Sequence, residues 1–72
     1  MTFEPLHTYK CVDGRTARIV SPISEVAGRE ECLILYAFYT HIAVIENEHT
    51  ARIFNLDHAD DVNIMTDEEV SN

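Results

Sequence analysis

Two stretches of this chain alternate between polar and apolar positions, and a polar turn breaks each of them. The first runs Tyr9-Lys10-Cys11-Val12, then Asp13-Gly14, then Thr16-Ala17-Arg18-Ile19-Val20. Successive side chains of a strand point to opposite faces, so Thr and Arg face out while Ala and Ile face in. Asp-Gly between two such runs is a hairpin signal, because both residue types tolerate positive φ. The second stretch runs His41 to Ile45, then Glu46-Asn47-Glu48-His49, then Thr50-Ala51-Arg52-Ile53-Phe54. Its turn lacks glycine, and Asn47 is the residue expected to take the left-handed conformation. The pattern predicts hairpins over residues 7–21 and 41–56. Thr-Ala-Arg-Ile recurs in them 34 residues apart, by duplication or because an exposed strand favours the same pattern twice.

Between the hairpins, Ser21-Pro22 reads as a turn or strand end, since the residue before proline is pushed toward extended backbone. Cys32 to Tyr39 is apolar at nearly every position, and periodicity cannot decide such a run. Its β-branched and aromatic content favours a strand buried on both faces. The competing reading is a helix from Ser24 to Phe38, capped by Ser24 and weakened by Gly28. A last strand is predicted over Asp61 to Met65, followed by a frayed acidic end. The fold class expected is therefore mainly β: a small antiparallel sheet or an SH3-like barrel of five or six strands, which removes exposed edges. The alternative is α+β, with one helix near residues 24–38. Residues 1–66 read as a single small domain and residues 67–72 as an acidic C-terminal tail.

Composition adds two constraints. Of the 72 residues, 46% are hydrophobic, ordinary for a globular chain. A body this small has difficulty burying so much apolar surface, so a homodimer or a covering partner is expected. The charge is one-sided: residues 1–36 carry five acidic against four basic side chains, and residues 37–72 carry eight against Arg52 alone, giving most of the net −8. Such a field disfavours nucleic acid and membrane surfaces and favours a basic protein surface. The start of the chain lacks a basic end followed by an apolar stretch, so no secretory signal is visible. The longest apolar run, Cys32 to Ile45, is 14 residues, short of the roughly 20 a membrane helix needs. A cytoplasmic location is the expectation, with Cys11 and Cys32 reduced and buried.

Candidate chemistry is sparse. His7 and Cys11 lie four apart, on one face of a strand, but the second ligand pair a structural zinc site wants is missing. Asp57-His58-Ala59-Asp60-Asp61 lacks the spacing and closing Glu of a calcium loop, and reads as a solvated turn. No nucleophile motif and no Gly-rich phosphate loop occurs, so no catalytic residue, metal or cofactor is assigned and no enzyme is expected. Tyr9, Tyr36 and Phe38 read as core aromatics rather than base-stacking platforms, because five basic residues cannot neutralise a phosphate backbone.

These exclusions leave a non-catalytic protein–protein interaction protein. Its expected partner-binding residues are Glu46, Glu48, Asp57, Asp60, Asp61, Asp67, Glu68 and Glu69. In size and charge the chain resembles small acidic inhibitors of phages and mobile elements, whose carboxylates stand in for phosphates and block nucleic-acid-binding proteins such as nucleases or CRISPR complexes. The alternative expectation is a small accessory or regulatory subunit that binds through an apolar surface.

Overall fold

A computed structural model describes residues 3–70. Seven strands and no helix occur among them: β1 (Thr8–Cys11), β2 (Thr16–Ile19), β3 (Ser24–Val26), β4 (Arg29–Tyr36), β5 (Tyr39–Ile45), β6 (Thr50–Asn55) and β7 (Asp61–Glu69). The strands pair antiparallel in the order β2-β1-β7-β6-β5-β4-β3, and β2 returns to pair with β4. Six strands thus close into a small barrel of the SH3-like kind, with β3 as an extra strand on β4. The helical alternative over residues 24–38 falls away: that segment is β3, a tight turn and β4.

Local chemistry explains the closure. Gly14 takes φ +91 in a turn where its amide donates to the Cys11 carbonyl at 3.0 Å and the Cys11 amide donates to the Arg15 carbonyl at 2.7 Å. This is a three-residue loop with a left-handed glycine, a common hairpin connection. The hairpin turn predicted at Asp13-Gly14 is therefore present, with only the glycine left-handed. At the second hairpin, Asn47 is not left-handed. Its side-chain oxygen instead accepts from the amides of His49 (2.8 Å) and Thr50 (3.0 Å), so the turn is held by a side chain rather than by backbone freedom.

β2 and β3 lie along one edge of β4, separated by the Ser21-Pro22 break. There the Leu33 amide donates to Ser21 Oγ at 2.8 Å, so a hydroxyl replaces the strand carbonyl that the break removes. Register shifts on both sides of β7, at Tyr9/Cys11 and at Ile53/Phe54, mark irregularities of the kind that bend a strand enough to close a barrel.

The two copies of Thr-Ala-Arg-Ile behave as predicted. Ala17, Ile19, Ala51 and Ile53 are buried in the core, around Ile34 and Met65. Phe3 packs edge-on against Tyr9 with ring centroids 5.1 Å apart, and the Glu4 amide donates to the Tyr9 hydroxyl at 2.8 Å. The N-terminal segment thus seals one end of the barrel.

Two further expectations are corrected. The run Cys32–Tyr39 is not one strand buried on both faces. It ends at Tyr36, and Leu33 and Leu35 face outward, while Cys32, Ile34 and Tyr36 face in. The acidic end is not frayed over Thr66–Glu69, which is the second half of β7. Thr66 Oγ1 donates to the Lys10 carbonyl and the Val70 amide to the Thr8 carbonyl, both at 2.8 Å. Pairing with β1 outweighs the local charge. Residues 71 and 72 lie outside the described residues.

Candidate protein-interaction surface

The β1–β2, β4–β5 and β6–β7 connections come together at the barrel end opposite Phe3. The β4–β5 hairpin turns through Ala37 (φ +51) and Phe38 (φ +69), between the paired residues Tyr36 and Tyr39. Two left-handed central residues suit the strand twist, but asparagine and glycine adopt them far more cheaply than alanine and phenylalanine. Phe38 is 95% exposed and Tyr39 73% exposed. The expectation that Phe38 joins the core is therefore wrong: the turn lifts it off the sheet, while Tyr9 and Tyr36 are buried as expected.

A polar network supports this turn from below. The Tyr36 hydroxyl donates to Asp13 Oδ2 at 2.5 Å and accepts from Asn63 Nδ2 at 2.9 Å. Its ring meets His41 edge-on at 5.3 Å. His41 Nδ1 lies 3.0 Å from the Tyr39 carbonyl, and a carbonyl only accepts, so this nitrogen carries the proton. The Tyr36 hydrogen bond, and then the Arg15 amide, hold the Asp13 carboxyl below its ordinary range. Burial, reinforced by the hydrogen bond to Asp13, raises Tyr36.

Beside the turn lies a shallow depression lined by Tyr39, Leu56, Asp57 and Val62, among others. Leu56 is 52% and Val62 45% exposed. The Leu56–Asp60 loop is shaped by Asn55, whose side-chain oxygen accepts from the Asp57 amide at 2.8 Å and whose carbonyl accepts from the His58 amide at 3.3 Å. The loop projects its carboxylates into solvent.

The eight sequence-predicted carboxylates do not form one face. Asp57 and Asp60 sit at the turn end and Glu48, Asp67, Glu68 and Glu69 lie toward the opposite end, while Glu46 and Asp61 converge between them on Arg52. Five are already engaged. Glu46 and Asp61 share Arg52 Nε at 2.7 and 3.6 Å. Asp67 pairs with His49 at 2.7 Å, Glu68 with Lys10 at 3.4 Å, and Glu69 with His7. Among the described residues, Glu48, Asp57 and Asp60 ion-pair with no basic side chain.

His7 and Cys11 are not brought together. Cys11 is buried in the core, while His7 faces Glu69 and Glu4. Donor atoms of Glu4, His7 and Glu69 lie within 4.8 Å of one another, the spacing a divalent ion would accept. Hydrogen bonding of the His7 Nδ1 to Glu69 raises the pKa of the imidazole. Cys11 and Cys32 are free and buried, and burial pushes both thiols up to about 11, which leaves them inert as nucleophiles at neutral pH.

Comparison with protein-family models, with curated proteins and with solved structures gives no match. No helix among the described residues is long and apolar enough to cross a membrane. The feature that sequence reasoning missed is the Phe38–Tyr39 tip. A two-residue turn shifts the inward positions from Cys32, Ile34 and Tyr36 to His41 and Ala43. That change of phase is masked where nearly every residue is apolar.

Proposed function

We propose that the chain is a non-catalytic protein–protein interaction module that binds a basic surface of another protein. The observation that carries this reading is one juxtaposition at the turn end. Asp57, unpaired among the described residues, lines the same depression as the exposed Tyr39, Leu56 and Val62, together with Arg15, which Asp13 already engages; Asp60, also unpaired, lies on the same exposed loop as Asp57. Protein interfaces use an apolar or aromatic centre with a polar rim, and tyrosine is enriched in such centres. Here the three apolar side chains supply the centre and the two aspartates the rim. A partner suited to it carries an apolar pocket flanked by Lys or Arg, a chemistry common on nucleic-acid-binding proteins.

The anchor-and-rim arrangement has better support than mimicry of a phosphate row. A mimic needs an unbroken line of available carboxylates, and the chain's own cations engage five of the eight. The test uses the full chain as bait, comparing wild type with Asp57→Lys/Asp60→Lys. Capture of the partner should fall on charge reversal, and also as salt rises from about 0.1 M to about 1 M and the Debye length shrinks from about 10 Å to about 3 Å. The loss should appear chiefly in the association rate. Equal capture by both proteins at low salt removes this loop from the interface.

A further inference from the structure

Two carboxylates and one imidazole nitrogen converge at the Phe3 end, drawn from both ends of the chain. Glu4 stands in the N-terminal segment, His7 leads into β1 and Glu69 ends β7. The chain turns between the first two. The His7 amide donates to the Glu4 carbonyl at 3.3 Å, across Pro5 and a left-handed Leu6 at φ +68. Proline second and a left-handed residue third is the pattern of a type II turn, which sets its first and last residues side by side. Sheet register brings the third residue, since Glu69 is the partner of Tyr9 on β1. Glu4 Oε2 lies 3.7 Å from His7 Nδ1, and Glu69 Oε1 contacts the same nitrogen. The side chains of Glu4, His7 and Glu69 are 60%, 43% and 52% exposed, so an ion reaches them from solvent.

We propose that Glu4, His7 and Glu69 bind one divalent transition-metal ion of the zinc type, which ties the N-terminal segment to β7. Donors on a tetrahedral zinc lie roughly 3.3–3.6 Å from one another, given bonds of about 2.0–2.2 Å. The Glu4–His7 separation of 3.7 Å is close to that, and all three donor atoms fall within 4.8 Å of one another. Side-chain rotation opens the His7–Glu69 contact to admit the ion, with no change of backbone.

Donor chemistry selects the ion. Two carboxylates alone make a hydrated acidic patch, which suits magnesium or calcium. The imidazole nitrogen between them favours zinc, cobalt or nickel. Three protein donors leave a fourth position to water. Charge balance favours an ion as well. Among the described residues, neither Glu4 nor Glu69 pairs with Lys or Arg, and one Nδ1 proton does not serve both carboxylates. Arg18 acts on His7 through space but ion-pairs with neither carboxylate. A dication takes the place of the Nδ1 proton, which passes to solvent, and neutralises both carboxylates in a chain of net −8.

The consequence is mechanical. Phe3 packs on Tyr9, and the Glu4 amide donates to the Tyr9 hydroxyl. An ion held by Glu4 therefore fastens the segment that seals this end of the barrel. A chain of 72 residues whose cysteines are free is of the size at which a metal staple adds most. This proposal is independent of the proposed function, whose residues lie at the other end.

Thermal unfolding and titration calorimetry of the full chain, stripped with EDTA and given zinc chloride, test it. The expected result is one zinc per chain and a melting temperature raised by roughly 10 °C at about 100 times the Kd. Magnesium chloride at equal concentration should give no comparable shift. His7→Gln and Glu69→Gln should each raise the zinc Kd roughly tenfold or more, the loss that even an outer-sphere contact causes. His49→Gln, which removes the other histidine–carboxylate pair, should leave the Kd unchanged. Paramagnetic Co²⁺ gives a readout that needs no variant: the His7 ring protons should shift before those of His49 and His58. A melting temperature indifferent to zinc overturns the proposal. So does an equal response to magnesium, zinc binding that His7→Gln leaves unchanged, or cobalt shifts centred on His49 or His58.

Discussion

The two ends of the barrel solve the same problem in opposite ways. At the Phe3 end, aromatic and charged groups are turned in on the protein. Phe3 packs on Tyr9, Glu69 pairs with His7, Glu68 with Lys10 and Asp67 with His49, and the Asn47 side chain closes the β5–β6 turn. At the Phe38 end the network of Tyr36, Asp13, Asn63 and His41 is internal, but it supports a turn that sends Phe38 and Tyr39 into solvent, beside two aspartates without cationic partners. Burial and ion pairing account for the first end by its own stability. They account less fully for the second, where two consecutive residues, Ala37 and Phe38, take left-handed backbone and Phe38 and Tyr39 stay exposed; the first end has one such residue, the exposed Leu6 at φ +68. Features that stability leaves unexplained are the ones to assign to recognition.

The largest effect should come from the core that both ends share. Ile53 is fully buried between them, and Ile53→Ala should cost about 2–5 kcal/mol. Urea unfolding followed by amide exchange should show both ends losing protection together. If one end opens while the other persists, the ends are separate cooperative units and the comparison must be redrawn.

The two turns at the Phe38 end should respond with opposite signs. Gly14→Val forces a β-branched residue to φ +91. An added Cβ meets nothing within 4 Å, so the loss of about 1–2 kcal/mol is backbone strain alone. Ala37→Asn/Phe38→Gly instead gives the left-handed turn the residues it favours, and should gain about 1 kcal/mol. Chemical denaturation of both variants measures the contrast. A loss in the second variant means that Phe38 stabilises the fold, and its exposure then says less about recognition.

The smallest effect is a pH dependence near neutrality that arises at the Phe3 end. Hydrogen bonding to Glu69 raises the pKa of His7, and hydrogen bonding to Asp67 raises that of His49, both above the ordinary 6.5. A raised folded-state pKa means that the folded form holds the proton more tightly. The added stability is complete below about pH 6.5 and is lost as pH rises through the folded values. His7→Gln and His49→Gln should each flatten the fall in melting temperature above pH 6.5 at low salt, with little change at the Phe38 end. A slope that survives both substitutions places its origin elsewhere. Solvent screening keeps these exposed pairs weak.

Much of the fold was legible in the residues themselves. Alternation around Asp13-Gly14, and the twin Thr-Ala-Arg-Ile segments, specify two hairpins and which face of β2 and β6 is buried, because the strand repeat of two ties side-chain direction to position. The cysteines' apolar neighbours likewise foretold their burial. The acidic candidates were legible only as a composition: the chain order of Glu46 to Glu69 says nothing about which carboxylates meet Arg52, His49, Lys10 or His7. The Lys10–Glu68 and His7–Glu69 pairings arise across strands distant in sequence, and the pairings together leave Asp57 and Asp60 as the available pair at the Phe38 end.

Sequence by itself determined a small antiparallel β protein with inert, buried thiols and a one-sided charge, since local periodicity and composition carry that information. Tertiary structure alone decided where β4 ends, that β2 returns to β4, and that Thr66–Glu69 is strand rather than tail. Pairing with a neighbouring strand stabilises a backbone conformation that local residues disfavour. The Ala37-Phe38 turn follows from that rule: the register between β4 and β5 demands a two-residue reversal there, and the residues at that point comply against their own preference.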